Sequence, residues 1–272
     1  PSIVILAAAK VGGILANATY PADFLLENLK IQNNLIETSW KHGIKRFLFL
    51  GSSCIYPKFS KQPISEESLL KGELEETNLG YALAKISGIK LCELLRFQYK
   101  FDAISLMPTN LYGPKDNYHP ENSHVMAALI RKFCEAVFKN EKNVTCWGSG
   151  NPMREFMHVD DLADAVVFCL ENWNLDLENT PLDNNGKKLT YLNVGTGKDI
   201  SIKDLSLMIA KASGFKGKII WDKTKPDGVP KKQLNVSRIQ SLGWEAKIDL
   251  ESGLKNTVKE YQQNLLNMKT TK

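Results

Sequence analysis

Short apolar runs separated by long helical repeats constrain this chain more than any other feature. Ser2–Ala8, Phe47–Leu50 and Ala103–Met107 are brief runs, β-branched or aromatic, of the kind that form buried strands. Between them lie Asp23–His42 and Tyr81–Tyr99, both long enough for full helices. In the first, Phe24, Leu25, Leu29, Ile31, Leu35 and Ile36 recur close to helical spacing, and Gly43 supplies the stop. Strand, helix and strand in this order predict βαβ units and a parallel sheet. Met126–Phe138 and Asp160–Asn172 read as further helices, Val144–Trp147 and Leu192–Val194 as further strands. Phe59–Asn78, polar and interrupted by Pro63, is expected to be a surface excursion. From Trp173 the pattern loosens, and WDKTKPDGVPKK reads as an exposed loop. The expected architecture is α/β: a doubly wound parallel sheet over 1–172, lacking its N-terminal portion, and a smaller α/β lobe over 173–272. Some segments of the first stretch are expected to join the second lobe.

The 272 residues suffice for one large domain or a domain with an added lobe. A net charge of +5 suits a small anionic ligand, and the basic residues are too dispersed for a nucleic-acid surface. The five cysteines are odd in number and none has metal-ligand spacing, which predicts a reduced cytoplasmic protein. PSIVILAAAK is apolar for about nine positions without a basic lead-in, so neither a membrane span nor a signal peptide is predicted. The chain opens inside a strand-like run without Met, from which we expect an N-terminal piece to be absent.

Ligands of parallel sheets sit at the carboxyl ends of the strands. Gly51–Cys54, in GSSCIYP, and Pro108–Leu111 both occupy such ends. In YALAKISG, Tyr81 and Lys85 are four apart and share a helical face. A phenol titrates near ~10, and a nearby ammonium lowers that value. Lys85 is expected to supply the charge and Ser52 to hold a substrate carbonyl beside the phenol. Such a trio protonates an alkoxide as hydride reaches the carbonyl carbon.

This Ser…Tyr-x-x-x-Lys arrangement resembles the extended short-chain dehydrogenase/reductase family. AAAKVGGI, GSSCIYPK, YALAKISGIKLCE, MPTNLYGPKDN, SHVMAALIRKF, WGSGNPMREFMHVDDLADA, NVGTG and KPDGVPKK extend the likeness over nearly the whole chain. The resemblance implies a Rossmann-like fold with an NADP-binding domain over 1–172 and a GDP-sugar-binding lobe over 173–272. It implies NADPH-dependent epimerisation at C3 and C5, and reduction at C4, of GDP-4-keto-6-deoxy-D-mannose to GDP-L-fucose. It further implies a homodimer formed through the helices at Asp23–His42 and Tyr81–Tyr99.

Carried over by position, Tyr81 matches the catalytic tyrosine, Lys85 its partner, and Ser52 the serine orienting the keto group. Cys54 and His124 match the groups that remove and return protons during epimerisation. Ala8, Lys85, Pro108, Thr109, Asn110, Leu111 and His124 line the cofactor. Lys132, Trp147, Arg154, Asp227 and Lys232 hold the GDP-sugar; where relatives carry Arg, position 132 is Lys, which meets a phosphate without the bidentate fork. KVGGI belongs to a substrate-side loop. A strand–glycine-loop–helix for the cofactor pyrophosphate is not found, so roughly fifty residues of a first βαβαβ portion are expected to be missing.

Each residue also has a plainer reading. Cys54 can be a small packed side chain, His124 a helix cap, and Trp147 core. Arg154 can pair with Glu155 or Asp160, and Lys231 and Lys232 can be a solvated turn. Cys92, Cys134, Cys146 and Cys169 are read as structural. Asp160 and Asp161 lack further ligands at metal spacing and suit a helix start. GTGKD at Gly195 is not a phosphate loop. Two other functions stay open: a truncated paralogue that binds GDP-sugar or only dimerises, and another nucleotide-sugar epimerase or dehydratase.

Overall fold

The computed structural model describes residues 1–225 and 227–270. In chain order the elements are β1 (Ile3–Leu6), α1 (Ile14–Thr19), α2 (Pro21–Lys41), β2 (Arg46–Leu50), α3 (Leu79–Tyr99), β3 (Ala103–Pro108), β4 (Asn110–Tyr112), α4 (Val125–Phe138) and β5 (Asn143–Trp147). They continue with β6 (Met153–His158), α5 (Val159–Asn172), β7 (Tyr191–Val194), β8 (Asp199–Ser201), α6 (Ile202–Ser213), β9 (Lys218–Asp222), β10 (Lys231–Lys232), α7 (Ser237–Ser241) and α8 (Leu250–Thr270).

The main sheet runs β1-β2-β3-β7 and is parallel throughout. Each parallel step needs a crossover, and α2 and α3 provide the first two. Side chains alternate across a strand, which gives β2 two apolar faces. Phe49 packs where a Cβ on Gly88 of α3 would sit, so that face lies under α3. Arg46, on the other face, donates to the carbonyls of Cys169 and Trp173 at the end of α5. Helices therefore cover both sides, and Phe47, Leu48, Phe49, Ile104 and Leu106 are fully buried between them. This is the doubly wound arrangement the alternation predicts.

A second apolar cluster joins α4, β5, α6, β9 and α8. Met126, Leu129, Ile130 and Phe133 present one face of α4 to Leu205, Ile209, Leu254 and Val258. Smaller strands lie between the two bodies: β6 pairs with β4 and β10 in parallel and with β8 antiparallel. The two clusters interleave along the sequence. Residues 125–147 pack in the second, whereas Leu189–Val194, Ile239 and Trp244 return to the first.

The stretch between β2 and α3 is more than a surface excursion. Ile64, Glu66 and Leu69 within it are buried. Glu66 pairs with Arg238 and accepts from the Asn193 backbone, so a polar composition here conceals a docked segment.

Candidate active site

β2 ends at Leu50, and Ser52 caps the single turn Ser53–Ile55 by accepting a hydrogen bond from the Cys54 amide at 3.2 Å. Two side chains of opposite chemistry, a hydroxyl and a thiol, are thereby fixed two residues apart at a strand end. Helix α3 brings Tyr81 and Lys85 to the same place. The Lys85 ammonium donates to the Leu50 carbonyl at 2.8 Å and lies 5.8 Å from the centre of the Tyr81 ring. The Ser52 hydroxyl is near enough to the phenol to oppose the rise in its pKa.

The electrostatics differ from the sequence expectation. Burial pushes the Tyr81 phenol above the usual tyrosine range; charge on Cys54 adds to this and the Ser52 hydroxyl opposes it. Burial also lowers Lys85, to about 8. Both groups lose solvation, so each favours its neutral form, and the ammonium spends its hydrogen bond on Leu50 instead of the phenol. The expected lowering of the tyrosine by Lys85 is corrected accordingly. A phenol held protonated is suited to giving a proton.

β3 ends at Pro108, and Pro108 and Thr109 are buried beside this cluster while Asn110 and Leu111 are half-buried. Thr109 and Asn110 donate to the Glu155 carbonyl at 3.2 and 2.8 Å. Ala8 is exposed just beyond β1. His124 heads α4 without capping it, so the plain reading as a helix cap is not realised. It is exposed, yet crowding by surrounding atoms lowers its pKa, with Asp116 opposing. It makes no hydrogen bond to Ser52, Cys54 or Tyr81. The KVGGI loop packs against the same segment: Gly13 donates to the Asn122 carbonyl at 3.1 Å, and a Cβ there would lie 2.4 Å from the Ser123 oxygen.

Further basic and aromatic positions lie beyond this cluster. Trp147, at the end of β5, is 50% exposed, so it is not core. The Lys132 and Lys225 ammoniums both lie over its ring, 5.4 and 5.5 Å from its centre. Lys225, in the KTKPDG loop, was not singled out from sequence; only the fold carries it to the indole. Arg154 makes no ion pair with Glu155 or Asp160. Its guanidinium, lowered by burial, feels Cys54, Asp227 and Glu75. Asp227 accepts from the Ser149 amide and hydroxyl at 2.6 and 2.7 Å. Lys232 is no solvated turn residue, since its ammonium lies 3.8 Å from the Cys54 sulfur. Cys92, Cys134, Cys146 and Cys169 are buried, while Cys54 is half-buried.

Comparison with known proteins accords with this geometry. The NAD dependent epimerase/dehydratase family model matches residues 1–180. The chain is 52% identical over 261 residues to the GDP-L-fucose synthase of Escherichia coli (strain K12), covering 96% of this chain and 80% of that one. Among solved structures, a GDP-6-OMe-4-keto-L-xylo-heptose reductase from C. jejuni superposes with a TM-score of 0.89 at 35% identity, over 97% of this chain and 83% of that one. A GDP-L-fucose synthetase from Naegleria fowleri bound to NADP gives 0.83 at 26% identity, over 98% and 78%. The chain belongs to the NAD dependent epimerase/dehydratase family.

Proposed function

We propose that this member of the epimerase/dehydratase family epimerises GDP-4-keto-6-deoxy-D-mannose at C3 and C5 and reduces it at C4, giving GDP-L-fucose, with NADPH as cofactor. The observation that carries the reading is the gathering of Ser52, Cys54, Tyr81 and Lys85 at the carboxyl end of β2. The E. coli relative bears the name of that activity, and the Naegleria structure was solved with NADP.

A ketone at C4 acidifies the neighbouring C–H bonds, so inversion needs a base on one face and an acid on the other. Cys54 is the base, beside an ammonium, and His124 is the acid that returns a proton. Ser52 holds the ketone oxygen, and Tyr81 protonates it during reduction. Lys85 has one carbonyl acceptor for three N–H donors, a surplus that fits a ribose. Lys85, Pro108, Thr109, Asn110 and Leu111, with Ala8 and His124 at the rim, hold the nicotinamide half of the cofactor. A bound NADPH supplies the hydride. Lys132, Trp147, Arg154, Asp227 and Lys232 hold the GDP-sugar on the side of the second body, which we assign as the substrate lobe.

A homodimer through α2 and α3 is part of the same proposal. Leu26 and Leu35 on α2, and Leu83, Leu94 and Phe97 on α3, are exposed and apolar. No helix among the described residues is long and apolar enough to cross a membrane. All five cysteines are free, which suits the cytoplasm.

Tyr81→Phe tests the assignment. Loss of a general acid lowers kcat by about 10²–10⁴-fold, with KM for the GDP-sugar nearly unchanged. Measured NADPH oxidation that survives the substitution within threefold refutes it.

A further inference from the structure

Lys232 stands apart from the other lysines of its loop. Lys231 beside it is tied to Asp199 at 3.0 Å. Lys232 makes no ion pair with a carboxylate among the described residues, and its ammonium faces Cys54. Its backbone is clamped from both sides. β10 pairs Lys232 with Arg154 of β6, and the buried Glu155 carboxylate accepts from the Leu234 amide at 2.7 Å. On the other flank, Gln62 donates to the Lys231 carbonyl and accepts from the Gln233 amide, and the Ile64 amide donates to the Gln233 carbonyl. These bonds fix the strand from which the Lys232 side chain reaches the sulfur.

We propose that Lys232 is the counter-cation of the Cys54 thiolate and positions it as the proton acceptor. The inference rests on the reading of Cys54 as a base. In the step it serves, the sulfur forms an S–H bond as the sugar C–H bond breaks, and the C–H electron pair moves onto the ketone as an enolate. Lys232 remains an ammonium throughout. A proton returned from the opposite face completes inversion, and the thiol then releases its proton to solvent.

The test is alkylation of the full chain by iodoacetamide at neutral pH, read at Cys54 by peptide mass spectrometry. The four other cysteines are buried, so the modification reports on one sulfur. Lys232→Met slows the reaction at least tenfold, and Lys232→Arg restores it to within threefold of the parent. Lys231→Met, which removes an equal charge one residue away, stays within twofold. Circular dichroism checks the fold, and Lys232→Gln repeats the measurement should the Met variant unfold. Equal rates in the parent and in Lys232→Met or Lys232→Gln overturn the pairing, as does slowing matched by Lys231→Met. So does slowing confined to Arg154→Met, which gives the role to the guanidinium. Alkylation that depends on Lys232 in a chain that turns over no GDP-sugar sustains the pairing while removing the enzymatic reading.

Discussion

Arg238→Met is the perturbation whose consequence the structure specifies most fully. Arg238 bridges two carboxylates of the docked stretch, reaching Glu66 at 2.5 Å and Glu67 through both terminal nitrogens. The Glu66 side chain is only 1% exposed. Removing one partner of a buried pair costs about 3–5 kcal/mol, because the remaining charge has neither water nor a cation. Glu67, first through its hydrogen bond to Arg238, is lowered from 4.5 to about 2. That shift corresponds to about 3.4 kcal/mol at most, and discounting for solvent access leaves about 1. Urea unfolding at pH 7 is therefore expected to show a loss of about 4–6 kcal/mol with an unchanged slope. The pH dependence has a definite sign. Glu67 is depressed in the fold, so its stabilisation is present above 4.5 and disappears as pH falls towards about 2. Glu66 is raised by burial, so charging it costs stability as pH rises past 4.5, and Arg238 offsets that cost. Both terms make the gap between parent and variant shrink by at least half between pH 7 and pH 3. Adding Glu66→Gln to the variant recovers about half the loss at pH 7. A gap below about 1 kcal/mol at pH 7, or one of equal size at both pH values, refutes the reasoning.

Two further outcomes are expected. Trp147→Ala weakens GDP binding about tenfold in calorimetry, since the half-exposed indole offers a base an aromatic surface close to two ammoniums; a change under twofold removes Trp147 from the site. Gly195→Ala places a Cβ 2.1 Å from the Glu155 carboxylate, which already accepts from the Thr196, Gly197 and Leu234 amides. Displacing that carboxylate costs about 2–4 kcal/mol in urea unfolding, and an unaltered midpoint contradicts the assigned packing.

Regular periodicity made β1, α2, β2, α3 and β3 legible in sequence, and the four-residue spacing of Tyr81 and Lys85 put both on one face of α3. Strand β6 was not read. Its sequence, MREFMH, buries Glu155 and His158 among apolar neighbours, so alternation fails. What makes the burial of Glu155 tolerable is a set of backbone donors some 40 and 80 residues away, which no local pattern announces. The docking of Glu66 depends in the same way on Arg238 from α7. Chemistry by residue type was visible, but the direction of the Tyr81 shift was not, because it is set first by burial, which the four-residue spacing does not announce.

The direction of that shift bears on how one small site serves two reactions. C3 and C5 are acidic only while C4 is a ketone, so proton exchange must precede reduction. A readily ionised phenol would compete with the thiol as a base during this first phase. Burial counters this by favouring the protonated form of Tyr81, the form the proposed reduction needs. In the proposed reaction, the turn capped by Ser52 sets the hydroxyl assigned to the ketone oxygen two residues from the sulfur assigned as proton acceptor. Holding the oxygen in one place through both phases lets the sugar stay bound between them, and the acid for the second phase is already beside it. The proposed division of labour thus rests on local environment: a half-buried thiol next to an ammonium, and a crowded phenol whose lysine neighbour is itself drawn towards neutrality.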